Sequence, residues 1–223
     1  MVGMTRNVNK FIRDVNEITM KLISDVSSDI AASIENLRDK LIEMHIKGLV
    51  KINHSVMELV VAKKLLLKGY RVDVEHRVSD KLICDVWGVK GDGKIIVEVE
   101  TGYTPPEHAL DPTRYIRARI ASKIARYSNY ANKFSLAFPP FYFPEIPSIY
   151  VKPPRFRCED EILEVKKLCD FYYKDPPVSF NEILNARLHT IFIIDVDIAD
   201  AIEIDPETYY EMYRDYSRNI LKF

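Results

Sequence analysis

Apolar residues recur every three or four positions over residues 1 to 47. Val8, Phe11, Ile12, Val15, Ile18, Leu22 and Val26 make one stripe, and Ile30, Ile34, Leu37, Leu41 and Met44 make a second. That spacing predicts amphipathic helices. Ser27-Ser28-Asp29 can divide them by capping the second, and Gly48 fits a helix stop. Residues 1 to 50 are therefore expected to form a helical extension that packs on the core or on a second copy of the chain.

A new unit begins near Asn53. Ser55 and Glu58 have capping-box spacing before an apolar helix that stops at Lys68-Gly69. Three runs then read as strands: Tyr70 to Val78, Lys81 to Val89 and Lys94 to Thr101. Gly91-Asp92-Gly93 between the last two is a hairpin signal. Asp111-Pro112 resembles an N-cap with proline at the first helical position, opening a helix to about Asn132, and Phe134 to Phe138 is a short apolar strand. Residues 51 to 140 thus carry the order α-β-β-β-α-β. Residues 138 to 156 hold too many prolines for a helix or a central strand and are expected to cross the molecule as an extended segment. A helix from Glu159 to Tyr173, a buried strand from His189 to Val196 and a helix from Pro206 to Leu221 complete an α/β domain over residues 141 to 223.

Composition narrows the function classes. The chain has 223 residues, 47% hydrophobic and 29% charged, enough to bury a core. Thirty-two basic residues stand against 33 acidic ones, which excludes a generally basic nucleic-acid coat but leaves room for a local basic patch. Three cysteines without a CxxC support neither a disulfide framework nor a zinc ribbon. No apolar run approaches a membrane span, and the charged start does not read as a signal peptide. A cytoplasmic protein is expected. The chain lacks Gln altogether, a composition seen in thermophile proteins and also produced by coding bias.

The stretch KLICDVWGVKGDGKIIVEVETG concentrates the chemistry. Along a strand, Glu98 and Glu100 share one face while Val97 and Val99 take the other. With Asp92-Gly93 as the turn, Asp85 falls opposite Glu100. With Gly91-Asp92 as the turn, it falls opposite Glu98. Either way three carboxylates share one face, whereas a three-residue loop would move Asp85 to the other. Acids that close repel and call for a cation or a proton, and hard oxygen ligands favour magnesium or manganese.

Asp85, Glu98 and the elements around them resemble the PD-(D/E)xK nuclease superfamily, the restriction-endonuclease-like fold shared by archaeal Holliday-junction resolvases. The resemblance covers about residues 53 to 140. It implies that Asp85, Glu98 and the Val99 carbonyl hold Mg2+ or Mn2+, with Glu58 as the acid on the preceding helix. One position departs from the pattern, because Glu100 stands where the family has a lysine. Some members supply that lysine from the next helix, and Lys123-Ile-Ala-Arg-Tyr127 has a comparable spacing here. On a helical projection Lys123 borders the apolar face, where it can reach the carboxylates or simply snorkel. Glu58, likewise, can be a site residue or merely close the capping box.

The helix from Pro112 carries Arg114, Arg117, Arg119, Lys123 and Arg126, with Lys133 just beyond, and no acid intervenes. Such a run suits phosphate contacts, Tyr115 and Tyr130 are placed to stack on bases, and Tyr127 joins Tyr130 among the candidate nucleic-acid contacts. Asp195-Val-Asp197 has the form of a metal-binding D-x-D but reads more simply as a strand entering an acidic loop. The five histidines form no HxH or HExxH, which argues against zinc, although His54 lies one turn before Glu58. The expected function is a divalent-metal-dependent nuclease acting on DNA, paired as a homodimer through residues 1 to 50. The alternative is a nuclease fold that has lost cleavage and survives as a nucleic-acid-binding or assembly module.

Overall fold

The structure, a computed structural model, describes residues 2–220; Leu221, the expected end of the closing helix, lies outside them. Three helices lead, α1 (Val2–Ile23), α2 (Ser28–Ile46) and α3 (Ile52–Leu67), followed by strands β1 (Arg71–Arg77), β2 (Ile83–Lys90) and β3 (Gly93–Val99). Helix α4 (Pro112–Tyr127) crosses to β4 (Lys133–Phe138). After the proline-rich segment come α5 (Glu159–Tyr172), α6 (Phe180–Asn185), β5 (Thr190–Asp195), β6 (Asp200–Ile204) and α7 (Pro206–Ile220).

The strands form one six-stranded mixed sheet in the order β1-β2-β3-β4-β5-β6. The β3–β4 and β4–β5 pairs are parallel and the rest antiparallel. Parallel neighbours need a crossover, which α4 supplies between β3 and β4. Helices cover both faces. On one, Phe11, Val15, Leu22, Ile34 and Leu41 from α1 and α2 join Leu59 and Val60 of α3 against Val86, Val97 and Val99. On the other, Ile120 and Ile124 of α4 pack with Ile96, Phe134, Leu136 and Ile162. Burial on both sides explains why β3 and β4 read as continuous apolar runs. The N-terminal helices thus belong to the same core as the sheet.

Several local expectations need correction. Helix α3 starts at Ile52, so Ser55 lies inside it and its hydroxyl donates back to the Lys51 carbonyl at 3.2 Å. Glu58 therefore closes no capping box. Helix α4 ends at Tyr127 and gives way to a 3-10 turn over Ser128–Tyr130 instead of running to Asn132. The acidic residues after Asp195 are not all loop. Asp195 accepts from the Asp197 and Ile198 amides, Ala199 turns the chain with φ +54°, and β6 returns along β5. Its short, half-polar sequence gives too weak an alternation to show in advance. Helix α6 was also unforeseen, although Ser179 and Glu182 form a full capping box. The proline-rich segment does pack down: Ile146, Ile149 and Tyr150 are buried, and the Tyr150 hydroxyl donates to the Ala121 carbonyl at 3.1 Å.

Candidate functional site

The β2–β3 hairpin turns at Gly91-Asp92, since Lys90 pairs with Gly93 and Val86 with Val97. Continuing that register places Asp85 opposite Glu98. The backbone ladder stops one pair short, and the two acids complete it with side chains. The Asp85 amide donates to Glu98 Oε1 at 3.3 Å, and the Val99 amide donates to Asp85 Oδ2 at 2.6 Å. On the other side of β2 the β1 ladder omits the Glu75–Asp85 pair, and Glu75 takes φ +47°, a conformation L residues seldom adopt. The sheet is thus locally opened around Asp85, and strain of this kind concentrates at functional sites.

Into this opening α4 sends Lys123. Its Nζ lies 2.9 Å from Glu98 Oε2, 3.1 Å from Glu100 Oε1, 3.5 Å from Asp85 Oδ2 and 3.3 Å from the Val99 carbonyl oxygen. One turn earlier, Arg119 reaches Glu100 Oε2 at 2.8 Å and the Tyr103 carbonyl at 2.6 Å. Helix α3 contributes Glu58 from the opposite layer. Its carboxylate is fully buried, and neither oxygen has a hydrogen-bond partner among the described residues. His54 Nδ1 lies 4.0 Å from Glu58 and 3.9 Å from Asp85. One ligand atom from each of His54, Glu58 and Asp85 falls within 4.8 Å of the others, room for a cation. Beyond Glu100 the chain turns at Gly102, with φ +81°, where a Cβ would stand 2.8 Å from the Tyr142 ring. Tyr103 then borders a cleft of about 550 Å³ together with Lys51, His54, Arg119 and Lys123.

The electrostatics follow from burial. Glu58 is held well above the usual carboxylate range, by desolvation first and then by the charges of Asp85, Glu75 and Glu98. Glu98 is pushed up to about 8 by burial and the neighbouring Asp85, with Lys123 pulling the other way. Burial and Asp85 raise Glu75 to about 7. For Lys123, desolvation opposes its charge, but Asp85, Glu100 and Glu98 outweigh it and keep the ammonium protonated. Five carboxylates (Glu58, Glu75, Asp85, Glu98 and Glu100) outnumber the cations Lys123 and Arg119, with Lys40 also acting on Glu75. Full ionisation would leave negative charge in excess, which protonation or a cation offsets.

Glu58, Asp85, Glu98, Glu100, Lys123 and the Val99 carbonyl therefore converge. Arg119 joins them, and the other basic and aromatic candidates do not. Arg114 lies exposed over the Phe171 ring at 4.3 Å. Arg117 pairs with Glu145 and Glu164, and Arg126 donates to the Pro176 carbonyl. Tyr127 donates to the Ile83 carbonyl at 2.9 Å, while Tyr130 and Lys133 are exposed near the far end of α4. Arg119, a candidate for phosphate contact, clamps Glu100 and also lines the cleft. Glu75 escaped notice because the loop between β1 and β2 hides their register in the sequence. His54 carried one signal, its place one helical turn before Glu58.

No protein-family model, curated protein or solved structure matches the chain. Among the described residues, no helix is long and apolar enough to cross a membrane.

Proposed function

We propose that the chain is a divalent-metal-dependent nuclease that hydrolyses phosphodiester bonds of DNA on a restriction-endonuclease-like core. The observation that carries this reading is Lys123, whose amine meets Asp85, Glu98 and Glu100 at 2.9 to 3.5 Å. It supports a lysine delivered from α4 in place of the one missing at Glu100. The order α3-β1-β2-β3-α4-β4 is the order the resemblance implies, and the choice of DNA rests on that resemblance.

Mg2+ or Mn2+ fits the residues present: Glu58 and Asp85, with His54, would hold it, and the resemblance adds Glu98 and the Val99 carbonyl, both of which contact Lys123. The unpartnered Glu58 oxygens and the excess of buried acid are the features that favour a cation. Bound there, the ion would act as a Lewis acid toward a phosphate oxygen. The rest of the chemistry belongs to the chain. Glu100 accepts from both Lys123 and Arg119 and so holds the two cations at the mouth of the cleft. Preorganised cations are what the negative charge developing on the phosphoryl and leaving oxygens requires, and they need no reorientation at the moment of reaction. The α3 and β3 layers exclude water from the acids, which strengthens every charge interaction there.

A second reading has its own support. Lys123 and Arg119 already neutralise Glu98 and Glu100, so the cluster can serve as internal ion pairing in a nucleic-acid-binding module that does not cleave. Incubation of duplex, single-stranded, flapped and four-way-junction DNA, and of RNA, with Mg2+ or Mn2+ separates the two. Metal-dependent cleavage that Asp85→Ala abolishes is the expected result. Binding of DNA by both proteins with cleavage by neither refutes the nuclease reading.

A further inference from the structure

At the far end of the parallel strands lies a second cavity, of about 480 Å³, remote from the carboxylate cluster. The cluster gathers where β3 ends, at Glu98, Val99 and Glu100. This cavity sits where β4 and β5 begin, beside His189. Its walls carry Lys152, Arg155, Arg157, Arg187 and His189, and no acidic residue lines it. In a chain with nearly equal numbers of acids and bases, an acid-free concave surface with one lysine and three arginines is a local departure from composition.

Three features make it a built pocket. Arg157 is only 9% exposed, and its guanidinium donates to the carbonyls of Lys152, Ile183, Leu184 and Ala186. Those bonds consume its donors but join it to no ion pair among the described residues, and the carboxylate whose charge acts on it, Glu161, is engaged by Lys152. The buried positive charge therefore biases the cavity toward anions. His189 is fixed by a reciprocal pair: its amide donates to the Phe134 carbonyl at 2.8 Å, and the Phe134 amide donates to its Nδ1 at 3.1 Å. A neutral imidazole that accepts at Nδ1 carries its proton at Nε2, so the ring offers the cavity one donor of settled tautomer. Pro153-Pro154 stiffens the wall that presents Arg155, and Ile149 and Tyr150 anchor that wall in the core. Arg155 and Arg187 are exposed and enter no ion pair among the described residues, whereas Lys152 is engaged by Glu161.

We propose that this pocket binds the phosphate of a ligand of mononucleotide size, with Arg155 and Arg187 as its charged fork, His189 Nε2 as a neutral donor and Arg157 as the fixed charge behind them. Guanidinium groups suit a phosphate because their parallel N–H groups match two of its oxygens. The volume falls within the range of small-molecule sites. The same phosphate chemistry is offered by a free nucleotide and by a nucleic-acid strand running past the cleft, and the experiment distinguishes them. The inference is independent of metal-dependent cleavage, so it stands or falls separately.

The test is titration of the full chain, in a phosphate-free buffer with chelator, followed by 1H–15N correlation spectra. The titrants are inorganic phosphate, a 5′-mononucleotide, the matching nucleoside and a short single-stranded oligonucleotide. Saturable shifts confined to residues around 150–157 and 187–189 are expected with the mononucleotide but not with the nucleoside. The Arg155→Ala/Arg187→Ala double variant should bind at least tenfold more weakly, and Arg155→Lys/Arg187→Lys should recover part of the loss. Both arginines are exposed, so unchanged spectra away from the pocket verify that the variants fold. Shifts at these residues with the oligonucleotide alone would keep the anion pocket and assign its source to a strand. Equal binding of nucleoside and nucleotide, an unaffected double variant, or no shift with any titrant overturns the proposal.

Discussion

Replacing Glu58 by Gln should stabilise the metal-free protein, and by an amount that grows with pH. The carboxyl is fully buried with no hydrogen-bond partner among the described residues. Burial and the charges of Asp85, Glu75 and Glu98 hold it well above the carboxylate range. In the unfolded chain the same group ionises near roughly pH 4.3. A folded-state value raised above the unfolded one means that the folded protein retains a proton the unfolded chain releases. Its stabilising contribution is complete below the unfolded value and drains away as pH rises toward the folded one. One proton of difference costs the fold about 1.4 kcal/mol per pH unit. Gln has nearly the same shape and carries no proton to lose. Above the unfolded value and up to the folded one, the advantage of Glu58→Gln over wild type should therefore widen by up to about 1.4 kcal/mol per pH unit. For a chain of this length that corresponds to roughly 3–6 °C in Tm per pH unit. Calorimetric melts of both proteins at pH 5.5 and 7.5, in chelator, measure it. A Tm difference that stays constant across that range would refute the idea that buried Glu58 holds a proton in the folded state.

The remaining expectations concern the same cluster and one packing position. Saturating Mg2+ or Mn2+ at about 100 times its Kd should stabilise wild type by about 2.7 kcal/mol, visible as a rise of roughly 5–11 °C in Tm. Asp85→Ala should lose that rise. Lys123→Met removes the cation shared by Asp85, Glu98 and Glu100. Stripping one partner from a buried ion pair costs about 3–5 kcal/mol, so the variant should melt well below wild type in chelator, with Mg2+ restoring much of the loss. Metal without effect on the Lys123→Met melt would show that the acids do not bind it. Gly88→Ala places a Cβ 2.7 Å from Ile95 Cγ2 and 3.2 Å from the Tyr70 ring. Overpacking of this kind costs about 1–3 kcal/mol, readable as a lower denaturant midpoint at an unchanged slope.

Much of the architecture lies in local pattern. Period-3.6 stripes mark α1 to α4, because each helix must bury one face and leaves that demand in its own residues. The Gly91-Asp92 turn and the alternation of Glu98 and Glu100 confine the position of Asp85 to a choice of register, since a strand's side chains obey a period of two. The charge pattern of α4 places Lys123 on a border from which it can turn inward. Glu98 and Glu100 on one face of β3 and a lysine at the edge of the next helix are thus properties of the chain itself, and Asp85 joins them wherever the hairpin loop is even.

Only the tertiary structure decides how those charges meet. Glu75 reaches Asp85 because β1 pairs with β2 in a register set by a loop whose length and shape the neighbouring residues do not encode. Glu58 leaves the solvent because α3 begins at Ile52 and lies across the sheet, so that a residue with capping-box spacing becomes a buried acid without a partner. Arg119 closes on Glu100, and Arg126, further along α4, is drawn to the Pro176 carbonyl fifty positions away. Local sequence sets which face each side chain takes. Long-range packing sets which faces come together, and with them which charges lose water and need a cation.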